Sequence, residues 1–316
     1  LAAHQDLVVL QRQIDVLGLA LGQAGLHLGP PEEHVVVLVV HLQQAAGLRS
    51  ILPSPFRFLT QVIYFRIMFG MFGPDAAPFH LASLLVHLLN VALLFVFVRL
   101  SGASRAVAGS CASLFGTFPL FFPLLASAVG MNDELALTFT LIALHLVRLG
   151  GPVPILAACG SYVVALLCKE SVLTMPLIAL AIGAPDRRRM ARALPLLAIA
   201  VVFAGLLLVV PPQGLGPYAA RFGANAFHNL MTYAAWSVNL IRPMPDLVSS
   251  YDPTAWRVGA WVYGAVLLSW VVSHRNRPLI RLGVVWWLAG LLPVLLLRFQ
   301  TYRHYLYPAL PGLALA

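Results

Sequence analysis

Long apolar runs separated by short polar loops form the main pattern of the chain from residue 73 onward. The first run, between Gly73 and Arg99, continues for about 20 residues without a formal charge, which lets a helix cross a hydrocarbon core of roughly 30 Å. The pattern therefore predicts an all-α chain that crosses a membrane several times, as a polytopic helical bundle. Further runs of this kind lie at 106–125, before 149, and at 193–210, 257–272 and 279–297.

Two shorter apolar runs predict a place where the chain stays near a membrane face. Residues 153–168 and 171–183 are each too short to cross comfortably at about 1.5 Å per residue. The polar dipeptide between them is Lys169-Glu170. These two side chains are therefore expected close to one membrane surface.

Polar residues interrupt the first apolar run on one side of its predicted helix. His80, Ser83, His87 and Asn90 recur at three- and four-residue steps, which places them on one face. Because an unpaired donor in hydrocarbon is costly, this face is expected to contact other helices or a wet cavity. Neither histidine has a carboxylate one turn further on, so no metal site is predicted there.

Composition supports a membrane protein. Of 316 residues, 60% are hydrophobic and only 10% are charged, whereas soluble domains carry about 25% charged residues. The net charge of +9 comes from arginines clustered in short loops, which is typical of cytoplasmic loops and not of a nucleic-acid-binding surface. The three cysteines lie inside apolar runs, without CxxC spacing, and are expected in the core.

The basic loops predict the orientation of the spans. Placing 185–192 and 274–281 in the cytoplasm requires only two crossings between them, so 227–241 is expected to form an interfacial or re-entrant helix. The rare ionisable side chains then gather at one outer face, which is a functional-site hypothesis by default. Loops 50–75, 126–133, 169–170, 211–255 and 298–304 are assigned to that face, and 99–105 to the cytoplasm.

The first 50 residues differ from the rest of the chain. Arg12 and Asp15 interrupt one apolar stretch, and the run at 35–42 is too short to span. Two expectations stay open for 1–50: a poor first transmembrane helix followed by a loop, or a mis-assigned start. The multi-spanning membrane domain is predicted at 51–316, with its C-terminal part truncated.

Several stretches of the predicted membrane domain resemble a known family. They are FRFLTQVIYFRIMFGMFGPDAAPFHLASLLVHLLN (56–90), FPLFFPLLASAVGMNDELAL (118–137), ALLCKESVLTMPL (165–177) and TYRHYLYPALPGLAL (301–315), with a looser likeness at LVSSYDPTAW (247–256). CKES followed by PL, and RHYLYPALPG, are the specific parts. They resemble bacterial relatives of the protein O-mannosyltransferases, in particular the TMTC-type branch of the C-type membrane glycosyltransferases.

The resemblance implies an enzyme of the bacterial inner membrane, with a C-type glycosyltransferase bundle and its active face in the periplasm. It implies transfer of a sugar from a polyprenyl-phosphate-linked donor to a hydroxyl of a protein, lipid or glycan, with inversion by direct transfer. A carboxylate in the first outer loop acts as the base, for which Glu32 and Glu33 are candidates. The other implied site residues are Arg57, Lys169, Arg303 and His304 for the lipid phosphate, and His80, His87, Asn90, Asp133, Glu134, Glu170 and Asp252 along the cavity. Beyond the donor no cofactor is assigned, and a divalent metal is left open.

Simpler roles stay open for the same residues. Arg303 and His304 suit a headgroup anchor, and Lys169 with Glu170 suits an interfacial ion pair. Asp133 and Glu134 suit the first turn of the following helix, where acidic side chains are stabilising.

Two other functions stay open for the whole chain. They are a transporter or flippase of polyprenyl-linked sugars and a catalytically inactive relative. A carboxylate placed over the cavity favours the enzyme, whereas two alternating gates favour a transporter. The sequence shows no internal repeat with paired broken helices, which many transporters have.

Overall fold

The computed structural model describes residues 57–119, 122–182, 187–209, 222–238, 253–274, 277–297 and 301–316. All of them belong to one unit, Ile51–Ala316. They form helices, with no β-strand inside these ranges, so the predicted all-α class is confirmed for them. Glu32, Glu33 and Asp252 lie outside the described residues, as does all of segment 1–50.

The described part of the chain begins with a π-helical segment, Phe58–Tyr64, which continues into helix α1 (Phe65–Phe72). Short 3₁₀ segments and one helical turn connect the later helices; they are Ala128–Gly130, Glu170–Val172, Arg303–Leu306 and Phe122–Leu125. The helices that follow α1 are α2 (Ala76–Leu100), α3 (Arg105–Gly116), α4 (Met131–Leu149), α5 (Pro152–Cys168), α6 (Pro176–Ala181), α7 (Arg187–Val209), α8 (Ala224–Ser237), α9 (Pro253–Ser273), α10 (Pro278–Leu295) and α11 (Leu310–Leu315).

Three helices of the described ranges are long and apolar enough to cross a membrane. They are Ala76–Leu100, Met190–Leu207 within α7, and Pro278–Leu295. Helix α8 has 14 residues, which corresponds to about 21 Å at the usual helical rise. It is too short to span, and an interfacial or re-entrant position for 227–241 stays a prediction.

The apolar run at 106–125 is not one helix. Helix α3 ends at Gly116, and the Thr117 hydroxyl donates a hydrogen bond of 2.8 Å to the Ser113 carbonyl. The next two residues are Phe118 and Pro119, and a residue that precedes proline is disfavoured in the helical conformation. The helix of this run therefore ends before the proline, although the residues that follow stay apolar.

Helix α2 contains the predicted polar stripe. The Asp75 side chain caps its first turn by accepting a 3.0 Å hydrogen bond from the Ala77 amide. Ser83, His87 and Asn90 are buried in the face that also buries Phe79, Leu94 and Phe97. His80 lies outside that face and is exposed. The stripe therefore faces other helices at three of its four positions, and Phe79 occupies the first turn of the buried face.

One end of the helices is rich in arginine and is called the arginine end; its residues are Arg99, Arg105, Arg148, Arg187, Arg188 and Arg192. Arg148 lies 5.1 Å from the Phe97 ring centroid and donates a 2.6 Å hydrogen bond to the Ser101 hydroxyl, which joins the last turns of α4 and α2. Arg192 of α7 donates to the Arg148 carbonyl. Cations at helix C-termini are favourable because they face the unpaired carbonyls.

The opposite end, called the ion-pair end, collects the start of α4 and the end of α5. Ser83 of α2 donates a 2.5 Å hydrogen bond to Glu134 in the first turn of α4. The Thr60 hydroxyl of the π-helical segment donates to the Cys168 carbonyl at 3.2 Å. Asn229 of α8 donates to the carbonyl groups at the end of α10. The elements that meet here are those that the sequence assigned to the outer face.

Helices α10 and α11 approach closely through glycine, which gives a testable prediction. A Cβ added at Gly312 lies 2.6 Å from the Gly283 carbonyl oxygen, so the backbones must separate to accept it. We expect Gly312→Ala to lower the free energy of unfolding by about 1–3 kcal/mol. The matched control is Gly160→Ala, inside α5 with open space around its Cβ, which should raise the free energy by roughly 0.5–1 kcal/mol. Thermal unfolding in detergent measures both, and equal effects would contradict the close packing.

Candidate functional site

Two ion pairs meet at the end of helix α5, and their residues, Arg57, Asp133, Lys169 and Glu170, are called the ion-pair cluster. Lys169 ends the helix in an extended conformation, and Glu170 starts a 3₁₀ segment. Successive side chains of an extended backbone point in opposite directions, so Lys169 and Glu170 reach different partners. Lys169 contacts Asp133 of α4, whereas Glu170 contacts Arg57 ahead of the π-helical segment.

The Lys169–Asp133 pair is buried. The ammonium nitrogen of Lys169 lies 2.5 Å from Asp133 Oδ2, with relative exposures of 4% for Lys169 and 3% for Asp133. The same nitrogen lies 5.0 Å from the centroid of the Tyr305 ring, within the range of a cation–π contact. The other oxygen, Asp133 Oδ1, is buried and has no hydrogen-bond partner among the described residues. The pair therefore balances the two charges, but it gives a hydrogen bond to only one of the two carboxylate oxygens.

The Arg57–Glu170 pair is bidentate and only partly buried. Arg57 Nε donates to Glu170 Oε2 at 2.8 Å, and Arg57 Nη2 donates to Glu170 Oε1. Burial raises the pKa of the Glu170 carboxyl, but the hydrogen bonds and charge of Arg57 outweigh it and hold that pKa below its usual value. Glu170 is thus an ionised, oriented partner of the guanidinium.

Arg303 and His304 approach the cluster from the 3₁₀ segment Arg303–Leu306. Arg303 is exposed, with its guanidinium 6.0 Å from the Trp236 ring centroid. His304 stacks on Tyr302, at 5.4 Å between centroids. Burial lowers the pKa of His304 to about 4, with the charge of Asp133 opposing this and the charges of Lys169 and Arg57 adding to it. His304 is thus a neutral hydrogen-bonding group at neutral pH, and Arg303 carries the exposed positive charge.

The depressed pKa of His304 predicts a loss of stability in mild acid. The unfolded chain binds a proton near pH 6.5 and the folded chain only near 4, so the free energy of unfolding falls as the pH drops between these values. Thermal unfolding from pH 7 to 4 should show a smaller decline in His304→Gln than in the wild type. The exposed histidine variant His80→Gln is the control and should keep the wild-type slope.

Beneath the cluster, a buried hydrogen-bond network joins α2, α4 and the segment before α11. Asn90 Nδ2 donates to the Glu134 carbonyl at 3.0 Å and to the Tyr307 hydroxyl at 3.1 Å, and Asn90 Oδ1 accepts from Thr138 at 2.8 Å. His87 Nε2 lies 3.1 Å from the Gly116 carbonyl and His87 Nδ1 lies 3.0 Å from the Tyr307 hydroxyl. These contacts fix the first turn of α4, which carries Asp133 and Glu134.

The donors and acceptors of this hydrogen-bond network can be assigned in one consistent way. The Gly116 carbonyl can only accept, so His87 Nε2 carries the ring proton in the neutral imidazole. His87 Nδ1 then accepts from the Tyr307 hydroxyl, which in turn accepts from Asn90. Each donor in this series has an acceptor, so His87 and Asn90 of the polar stripe belong to a satisfied interior network.

The structure brings most of the predicted site residues to one end of the helices. The two ion pairs join Arg57 to Glu170 and Lys169 to Asp133. His304 lies within electrostatic range of Arg57, Lys169 and Asp133, and Arg303 precedes it in the sequence. Asn90, His87 and Glu134 lie directly beneath. His80 is exposed apart from them, and Glu32, Glu33 and Asp252 lie outside the described residues.

Two residues that hold the site in place were not identified from the sequence. Thr60 holds the end of α5 through the Cys168 carbonyl, and Thr138 orients Asn90. Thr138 follows Glu134 by one helical turn, a spacing that places both on one face of α4 and that could have pointed to it. Thr60 carries no comparable signal, because its partner is 108 residues away.

No described group of three or more histidine, cysteine, aspartate or glutamate residues could hold a metal ion. Comparisons of the chain with known protein families, curated proteins and solved structures find no match. The arrangement of the ion-pair cluster, with Arg303 and His304 beside it, is therefore the observation on which a function can be proposed.

Proposed function

We propose that the chain is a multi-spanning membrane glycosyltransferase. It transfers a sugar from a polyprenyl-phosphate-linked donor to a hydroxyl of a protein, lipid or glycan. The observation that supports this is the meeting of Arg57, Lys169 and the Arg303–His304 turn, from three separate elements, at one end of apolar helices. An anionic lipid carrier needs such a set of cations where hydrocarbon meets water.

Arg303 is the exposed cation beside the ion-pair cluster and is the proposed first contact of the donor phosphate. Arg303 lies on the Trp236 ring, and no carboxylate of the described ranges forms an ion pair with it. A planar guanidinium binds phosphate oxygens with two parallel hydrogen bonds, so Arg303 is assigned as the phosphate clamp. His304 adds a neutral N–H donor beside it.

The ion-pair cluster supplies charge behind the clamp. Arg57 and Lys169 are each neutralised by a carboxylate in the resting protein. As the bond between the sugar C1 and the phosphate oxygen breaks, negative charge grows on the leaving phosphate, and in this scheme Arg57 and Lys169 stabilise that charge. The acceptor hydroxyl oxygen attacks C1 from the opposite side, which inverts the anomeric centre.

A carboxylate takes the proton of the acceptor hydroxyl in this scheme. Glu32 and Glu33 are the proposed candidates from the sequence. A divalent metal stays open as a further requirement of the reaction.

The orientation follows from charge. With the arginine end in the cytoplasm, as the positive-inside rule favours, the ion-pair end faces the opposite side of the membrane. For a bacterial inner membrane this is the periplasm, so donor and acceptor would meet there. The proposed lipid contacts are made by the exposed apolar side chains of the spanning helices.

A transfer assay tests this proposal. The full chain in lipid nanodiscs is incubated with radiolabelled polyprenyl-phosphate mannose or glucose and membrane vesicles as the source of acceptors. We expect transfer by the wild type and a loss of roughly 10–100-fold in Arg303→Ala, the cost of a charged hydrogen bond. Arg105→Ala, at the arginine end, is the control and should keep wild-type transfer.

Two outcomes would contradict the proposal. Unchanged transfer in Arg303→Ala would remove the phosphate clamp. Binding of the labelled donor without transfer to any acceptor, together with its movement across the membrane, would support the transporter or flippase instead.

A further inference from the structure

Glu134 is the most enclosed acidic residue among the described residues. It lies in the first turn of α4, and its relative exposure is 0%. Oxygen Oε1 accepts a 2.5 Å hydrogen bond from the Ser83 hydroxyl, whereas Oε2 is buried with no partner in the described ranges. One carboxyl oxygen of Glu134 is therefore left unsatisfied by the described residues.

The cations near Glu134 are paired with other acids. Lys169 is bonded to Asp133, and Arg57 to Glu170. No ion pair to Glu134 occurs in the part of the chain that the structure describes. Each of these two cations is bonded to one acid, so an ionised Glu134 would be a third carboxylate here without a directly paired cation among the described residues.

The other groups that face Glu134 do not supply a positive charge. Asp133 on the same helix adds negative charge, and the hydroxyl groups of Tyr64 and Tyr307 lie within its field. His87 on α2 is the neutral imidazole of the hydrogen-bond network. An isolated ionised carboxylate in such surroundings is very costly, whereas a neutral carboxylic acid is not.

We propose that Glu134 is a resident proton-binding site, at which the carboxyl group keeps its proton on Oε2 at neutral pH. The inference stands independently of the proposed glycosyl transfer, because it depends only on burial, pairing and charge. The bound proton removes the surplus negative charge beside the Lys169–Asp133 pair. Two further buried acceptors of the same helical turn, Asn132 Oδ1 and Asp133 Oδ1, also have no partner among the described residues.

The consequence is a specific dependence on pH. Loss of the proton at high pH would place a second full negative charge one residue from Asp133, where it competes for Lys169. Between about pH 4.3, the usual value for glutamate, and the pH at which folded Glu134 loses its proton, the folded chain binds one more proton than the unfolded chain, so stability should fall as the pH rises through this range. A glutamine at this position is neutral at every pH and should not show this decline.

Infrared spectroscopy tests the protonation directly. Glutamate occurs at only four positions of the chain, so ¹³C-glutamate labelling gives a small set of shifted carboxyl bands. At pH 7 we expect one label-shifted C=O band of a protonated carboxyl group in the wild type, absent in Glu134→Gln. Glu170→Gln is the matched control. Because Arg57 keeps the Glu170 carboxyl group ionised, this variant should retain the protonated band.

The remaining outcomes also decide the inference. If no protonated glutamate band occurs at pH 7, or if it persists in Glu134→Gln, the proposal is overturned. If the Glu134 carboxyl group is instead ionised and its carboxylate band shifts when sodium is added, the proposal is overturned in favour of a bound metal cation. If Glu134→Gln does not fold, the labelled wild type decides: the protonated band must disappear as the pH is raised from 7 to 10.

Discussion

Lys169→Met should lower the free energy of unfolding by about 3–5 kcal/mol, the cost of breaking a buried ion pair from one side. Lys169 and Asp133 are almost fully buried and lie 2.5 Å apart. Removal of the ammonium leaves the Asp133 carboxylate without its ion-pair partner, and Asp133 Oδ1 has no hydrogen bond from the described residues that would offset the loss. Chemical or thermal unfolding in detergent measures the loss, and a change below about 1 kcal/mol would contradict a desolvated pair.

A double-mutant cycle separates the pair from the packing of the side chains. Asp133→Asn alone should also be destabilising, because it strands the lysine. The double variant Lys169→Met with Asp133→Asn leaves no buried charge and should recover much of the loss. If the loss in the double variant equals the sum of the losses in the two single variants, the side chains do not interact. Arg303→Ala serves as the control, since Arg303 is exposed and its loss should change stability by less than about 1 kcal/mol.

The sequence predicted the place of the cluster better than its partners. Lys169-Glu170 stands between two apolar runs too short to span, and this alone put both residues near one end of the helices. That Lys169 binds Asp133 and Glu170 binds Arg57 was not predictable, because the latter partners are 113 residues apart. Pairing across the bundle depends on helix contacts that a single sequence does not specify.

For the polar stripe of α2, too, the sequence predicted the position of some residues but not of all. Its spacing predicted the buried face at Ser83, His87 and Asn90, since residues three and four apart share a side of a helix. The exposure of His80 was not predicted, because Phe79 offers more apolar area and occupies the buried position in that turn. The close approach of α10 and α11 at Gly312 likewise depends on packing that no periodicity encodes.

The second large effect that we expect is that the two ends are accessible from opposite sides of the membrane. The arginine end and the ion-pair end are joined by helices long enough to span, so they should lie on different sides of the membrane. Single cysteines report this in a background in which Cys111, Cys159 and Cys168 are replaced by alanine. Tyr302, exposed by 46%, reports the ion-pair end, and the exposed Arg105 reports the arginine end.

Labelling of intact bacterial spheroplasts with a membrane-impermeant maleimide is the most direct test that the ionisable residues of the proposed site share one non-cytoplasmic face. Tyr302→Cys should react in intact spheroplasts, whereas Arg105→Cys should react only after the membrane is permeabilised. Labelling of both cysteines from the same side, or of Arg105→Cys alone in intact spheroplasts, would contradict the account.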